Sequence, residues 1–132
     1  MKAISASMAK GLSIGSIIKC ADNSGAKVLQ IISVTGYKGK RRSRAETGVA
    51  GLVTCRVITG NESVRHEVFK VVIIRQRREY QRTDGTRVTF EDNAGVIVTD
   101  KMEPKGTLIK GPIAKEVVER FPIVAKVASI VV

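Results

Sequence analysis

Val71-Val72-Ile73-Ile74, four β-branched residues in succession, constrains the fold of this 132-residue chain more than any other stretch. Branching at Cβ stiffens the side chain and suits a pleated strand better than a helix, so the run reads as a buried strand. Arg75, Arg77, Arg78 and Arg82 follow at once, and Asp84-Gly85 is a tight-turn signal. Val88 and Phe90 alternate with polar neighbours as on a half-buried strand, Asp92 to Gly95 forms a second turn, and Val96 to Val98 a further strand. A small sheet with arginine-bearing loops at one end is the expected core.

The same grammar recurs upstream. Ile17, Ile18 and Cys20 begin a first strand, Ala21-Asp22-Asn23-Ser24-Gly25-Ala26 turns, and Lys27 to Val34 is a long second strand. Leu52 to Ile58 is a third, with Leu52, Thr54 and Arg56 on one face and Val53, Cys55 and Val57 on the other. Val68 to Ile74 is the fourth, with Val72 and Ile74 expected on opposite faces, and Arg87 to Phe90 with Val96 to Val98 supplies the rest. Short strands separated by turn chemistry point to a closed barrel, which removes exposed edges.

Beyond residue 100 the texture changes. Gly111-Pro112 is expected to open a helix in which Ile113, Val117 and Val118 face inward and Lys115, Glu116, Glu119 and Arg120 fill the exposed side, ending at Pro122. The apolar tail Ile130-Val131-Val132 is expected to pack back on the barrel. The chain thus reads as one unit over 1–132: an arm at 1–11, a barrel over 12–99 and a C-terminal helical segment over 100–132. It has neither a signal-peptide apolar block nor the ~20 apolar residues of a membrane span.

Charge bears on function. The net formal charge is +11, from 23 basic and 12 acidic residues. All of the excess lies in residues 1–87, where 17 basic residues oppose 6 acidic ones, whereas 88–132 hold 6 of each. Such an excess points to a polyanion, most often nucleic acid. The densest run is Lys38, Lys40, Arg41, Arg42 and Arg44, which must project because mutual repulsion cannot be buried. Candidate anion-contacting residues are these five together with Lys27, Arg75, Arg77, Arg78, Arg82 and Arg87. The neutral C-terminal part reads as a protein-partner surface, with Thr107, Lys115, Glu116, Glu119 and Arg120 as its candidates.

Catalysis has little support. His66 lies in a charged turn without a paired nucleophile, Cys20 and Cys55 form neither a metal pattern nor a disulfide framework and read as reduced core thiols of a cytosolic protein, and Glu91-Asp92 reads as a solvated turn rather than a cation site. No cofactor, metal or small-molecule substrate is indicated. A free-standing single-strand nucleic-acid binder would need aromatic platforms. Phe69 and Phe90 read as core, leaving Tyr37 and Tyr80 beside basic runs. The Ala21–Ala26 turn either offers backbone N–H groups to phosphate or is a plain structural turn.

Several stretches resemble one family, large-subunit ribosomal protein fourteen: CADNSGAK at 20–27, VVIIRQR at 71–77, RTDGTRVTFEDNAGVIV at 82–98 and KGPIAKE at 110–116. The phrases IIRQR and FEDNAGVIV are similar to the archaeal and eukaryotic branch. The resemblance implies a mainly β protein: a small closed five-stranded β-barrel with a projecting basic β-ribbon and a C-terminal segment with short α-helices. It implies contact with large-subunit rRNA, with small-subunit rRNA at an intersubunit bridge, with neighbouring ribosomal proteins and with anti-association initiation factor six. It places the chain in the cytoplasm, in the large subunit. The chain departs from the family in having Val71 where a small residue is usual, and Ala50-Gly51 where Gly-Asp is usual. The second change removes an acid whose local cap or turn contact is therefore in question.

Overall fold

In a computed structural model, residues 1–5, 8–37, 40 and 44–132 are described. The expected basic ribbon falls largely on Lys38, Gly39, Arg41, Arg42 and Ser43, which lie outside the described residues.

The barrel is built from β2 (Ile17–Cys20), β3 (Ala26–Val34), β5 (Leu52–Gly60), β6 (Val68–Arg75) and β9 (Ala94–Val98). Neighbouring strands run antiparallel except at the closing seam, where β2 pairs parallel with β9 through Lys19↔Ala94 and Cys20↔Gly95. Gly95 permits that seam: a Cβ there would stand 2.5 Å from a Val71 methyl. The small elements β1 (Leu12–Ser13) and β4 (Glu46–Thr47) pair with each other outside the barrel.

Two expectations about strands are corrected. Arg87–Val88 is not a barrel strand. It is β8, and it pairs with β7 (Tyr80–Gln81) in a small hairpin around the Asp84-Gly85 turn. The fifth barrel strand starts instead at Ala94, where the sequence suggested a turn. Val72 and Ile74 also share one face, as residues two apart on a strand must. Both are fully buried, because β6 has no solvent side from Val71 onward. Val71 and Ile73 fill the barrel interior with Leu29, Ile31, Val53, Cys55, Val57 and Ile97. Val72 and Ile74 pack outside it against Val96, Ile113, Val117, Phe121 and Val124. A strand buried on both faces is apolar without alternation, which accounts for the β-branched quartet.

The C-terminal segment is this outer cover. It comprises β10 (Ile109–Ile113), α1 (Lys115–Arg120), α2 (Pro122–Ala125) and β11 (Ala128–Val131). The helix does not open at Gly111-Pro112. Those residues lie in β10, which pairs parallel with β11 through an irregular register that accommodates a proline lacking an N–H. Pro122 does stop α1, and it then starts α2. The tail is anchored through its backbone: Val132 donates to the Ile113 carbonyl at 2.9 Å. Its side chains, however, are about half exposed, so the expected packing of Ile130, Val131 and Val132 onto the barrel is not seen.

The Ala50-Gly51 corner closes without a carboxylate. Ala50 N–H donates to the Ile73 carbonyl, and Gly51 N–H to that of Gly48. Ala50 takes φ +64°, a left-handed conformation unusual for a residue with a side chain. A Cβ on Gly51 would collide with the Thr47 hydroxyl oxygen, 1.9 Å away.

Candidate nucleic-acid interface

The arginines that follow β6 separate into two kinds. Arg75 is buried, and its guanidinium is engaged inside the protein: Nε and Nη2 donate to the Asp92 carboxylate at 2.8 and 3.3 Å, and Nη1 to the Lys110 and Pro112 carbonyls at 2.9 and 2.8 Å. Arg82 donates through Nε to Glu116 Oε1 at 2.8 Å and through Nη2 to the Val132 carbonyl at 2.6 Å. Burial works to lower the Arg82 pKa, but the bonds with Glu116 and Tyr80 prevail and raise it. Both arginines fasten the C-terminal segment to the barrel and its hairpin. Four of the five Arg75 N–H donors are engaged inside the protein, and Arg82 commits its Nε and one Nη2 donor in the same way, so both arginines act as internal braces where an anion contact was expected.

The others face outward. Lys27, Lys40, Arg44, Arg77, Arg78 and Arg87 are exposed. Arg77 is oriented by its backbone, which donates to Asn93 Oδ1 at 2.8 Å and accepts from the Thr89 hydroxyl at 2.6 Å. Arg78 donates to the Lys10 carbonyl at 2.7 Å and so holds the N-terminal arm. Arg87 makes a loose, exposed pair with Glu79 at 3.3 Å, which competing anions can break. The structure therefore places Arg77, Arg78 and Arg87 together around the β7–β8 hairpin, while Lys38, Arg41 and Arg42 lie outside the described residues.

Glu116 is a second correction. It does not lie on an exposed helix face but is buried, accepting from Arg82 and from the Tyr80 hydroxyl at 3.1 Å. Lys115 and Glu119 are exposed. Arg120 is half-buried, donating through Nη1 to the Ala50 carbonyl at 3.1 Å, and Thr107 is engaged with Asn23 in two 2.9 Å bonds.

Two buried polar residues escaped sequence reasoning. Asp22 accepts at Oδ1 from the Ser24 N–H, the Ser24 hydroxyl and the Cys20 thiol, and at Oδ2 from the Ile97 N–H at 3.0 Å. It pins the Ala21–Ala26 turn to β9, which gives that turn a structural role and commits the Ser24 N–H. Gln76, wholly buried, accepts from Val49 N–H at 2.9 Å and donates to the Ala9 and Arg78 carbonyls at 3.0 and 2.9 Å. It joins the arm, the corner before β5 and the basic segment. Its place two residues after the apolar quartet, between Arg75 and Arg77, was the only signal.

The aromatic residues are ill placed for base stacking. Tyr80 and Phe121 are buried, and Tyr37, Phe69 and Phe90 are half-buried. Burial foremost, and then Glu116, pushes the Tyr80 hydroxyl up to about 12. His66 is exposed at φ +65° in the turn before β6. Among the described residues no cluster of potential metal ligands occurs, and no helix is long and apolar enough to cross a membrane.

Residues 11–132 match the family model for ribosomal protein L14p/L23e. The chain belongs to the ribosomal protein L14p/L23e family. Among its relatives, the large ribosomal subunit protein uL14 of Nanoarchaeum equitans is 50% identical over 133 residues, covering all of both chains. The uL14 proteins of Halorubrum lacusprofundi and Halobacterium salinarum are 48% and 47% identical, again over the full length of both. The match to L14p/L23e spans β1 to β11, so the barrel and its C-terminal cover are both family features, and the archaeal similarity agrees with the branch suggested by IIRQR and FEDNAGVIV.

Proposed function

We propose that this chain is a structural, non-catalytic constituent of the cytoplasmic large ribosomal subunit, where its outward basic residues bind rRNA. The observation that carries the reading is the division among the arginines: Arg75 and Arg82 build the scaffold, and Arg77, Arg78 and Arg87 stand on the surface it presents. Such cations position a protein on folded RNA through sugar-phosphate contacts rather than by reading bases. Lys27, Lys40 and Arg44, with Lys38, Arg41 and Arg42 by sequence, extend the set. On this reading the basic segment reaches large-subunit rRNA and, at an intersubunit bridge, small-subunit rRNA. The exposed Lys115 and Glu119 of α1 then belong to a surface for a neighbouring ribosomal protein or for anti-association initiation factor six.

The test is the salt dependence of binding to a large-subunit rRNA fragment. Replacing Arg44, Arg77 and Arg87 with alanine should flatten the slope of log K against log salt by about 0.7–0.9 for each phosphate left without its cation, with the thermal transition unchanged. An unchanged slope would remove these residues from the interface. The alternative, a free-standing single-strand binder, is disfavoured because none of the aromatic side chains is fully exposed.

A further inference from the structure

Where α1 meets α2, a groove of about 350 Å³ opens on the surface. Met102, Phe121, Pro122 and Ile123 line it, together with Met1 of the arm. Ile123 is 42% exposed. Met102 adopts φ +64° at the end of the Thr99–Met102 turn. An unbranched apolar residue held left-handed carries backbone strain, and such strain concentrates at binding surfaces.

The other lining residues are Lys2, Lys101 and Arg120, and no described acidic side chain joins them. Arg120 adds an independent sign. Its Nη1 is engaged with Ala50, yet its Nε is a buried donor without a partner. Nε and Nη2 form one edge of the guanidinium fork, the edge a carboxylate fits in bidentate fashion.

We infer that this groove is a docking site for a protein segment that inserts one apolar side chain beside an aspartate or glutamate. The apolar side chain enters between Met102 and Ile123, and the neighbouring carboxylate meets Lys2, Lys101 and Arg120. The walls are too apolar to suit a phosphate backbone, and the cationic rim selects an acidic protein segment over a neutral one. This rests on the reading of the C-terminal segment as a protein-partner surface, but it moves the contact from the exposed Lys115–Glu119 face of α1 to the junction of α1 with α2.

The test places a photoreactive p-benzoylphenylalanine at position 123 in the full chain assembled into large subunits, with a second preparation labelled at position 115. Irradiation should link position 123 to a protein peptide having Leu, Ile, Val, Phe or Met within a residue or two of an acid. Lys101→Glu should lower that yield about tenfold, since reversing a charge at a complementary rim is repulsive. Linkage from position 123 to rRNA, to a basic peptide or to nothing would overturn the groove assignment. If position 115 alone links to protein, the groove fails and the broader partner surface stands. If neither position does, both fail.

Discussion

The Tyr80 hydroxyl donates to one oxygen of the buried Glu116 carboxylate at 3.1 Å while Arg82 donates to the other at 2.8 Å. One acid on α1 thus holds both ends of the short segment that carries the hairpin. Only 2% of the Glu116 side chain and 11% of that of Arg82 are exposed. Glu116→Ala should therefore lose about 3–5 kcal/mol of stability, because it strands a buried cation. A double-mutant cycle with Arg82→Met, read by urea unfolding, checks this. Additive losses would show that the pair is not coupled.

The two faces of β6 make matched predictions. Ile74→Ala, on the face covered by α1 and α2, and Ile73→Ala, inside the barrel, should each lose roughly 2–5 kcal/mol. A loss confined to Ile73 would mean that the C-terminal cover is dispensable for the barrel in solution.

The corner before β5 allows almost no space. Gly51→Ala should destabilise the protein by about 1–3 kcal/mol through overpacking against Thr47. Thr47→Ala in the same chain should recover part of the loss, though the Gly48 carbonyl, 2.9 Å from the new Cβ, still crowds it. Melting temperatures of the two variants decide the point.

Alkaline pH should weaken the fold. Burial raises both Cys20 and Cys55 to about 12, with the Asp22 contact adding to the effect at Cys20. A thiol whose pKa is higher folded than unfolded stabilises the native state while it stays protonated. That contribution is fully present below the unfolded value of about 8.5 and is lost as pH rises through that value toward the folded one. The urea midpoint should be level between about pH 7 and 8 and fall by about pH 10.5 in a reducing buffer. Cys55→Ala should shrink the fall.

Most of the barrel was legible because its strands obey local rules. Val53, Cys55 and Val57 alternate with polar neighbours and point inward as their period requires. Failures came where burial was decided by distant residues. Ala94 and Gly95 look like turn residues, and they become strand because β2 and β6 flank them. Glu116 fits an exposed helical stripe, and only the arrival of Tyr80 and Arg82 buries it. Among the arginines, the sequence offers no means of telling Arg75 from Arg77. The Asp92 carboxylate and two carbonyls from β10 make the difference, and those are brought in by the fold.

Because the outer side of β6 is covered by residues 113–124, a chain emerging from synthesis cannot finish this strand when the barrel sequence is complete. After Val98 has appeared, the interior can close, but Val72 and Ile74 still face water until Ile113, Val117 and Phe121 arrive. The nascent protein therefore passes through an interval with a sticky apolar stripe on an otherwise cationic surface. Any segment that shields that stripe, or any truncation before α1, acts on the yield of protein rather than on its behaviour once assembled.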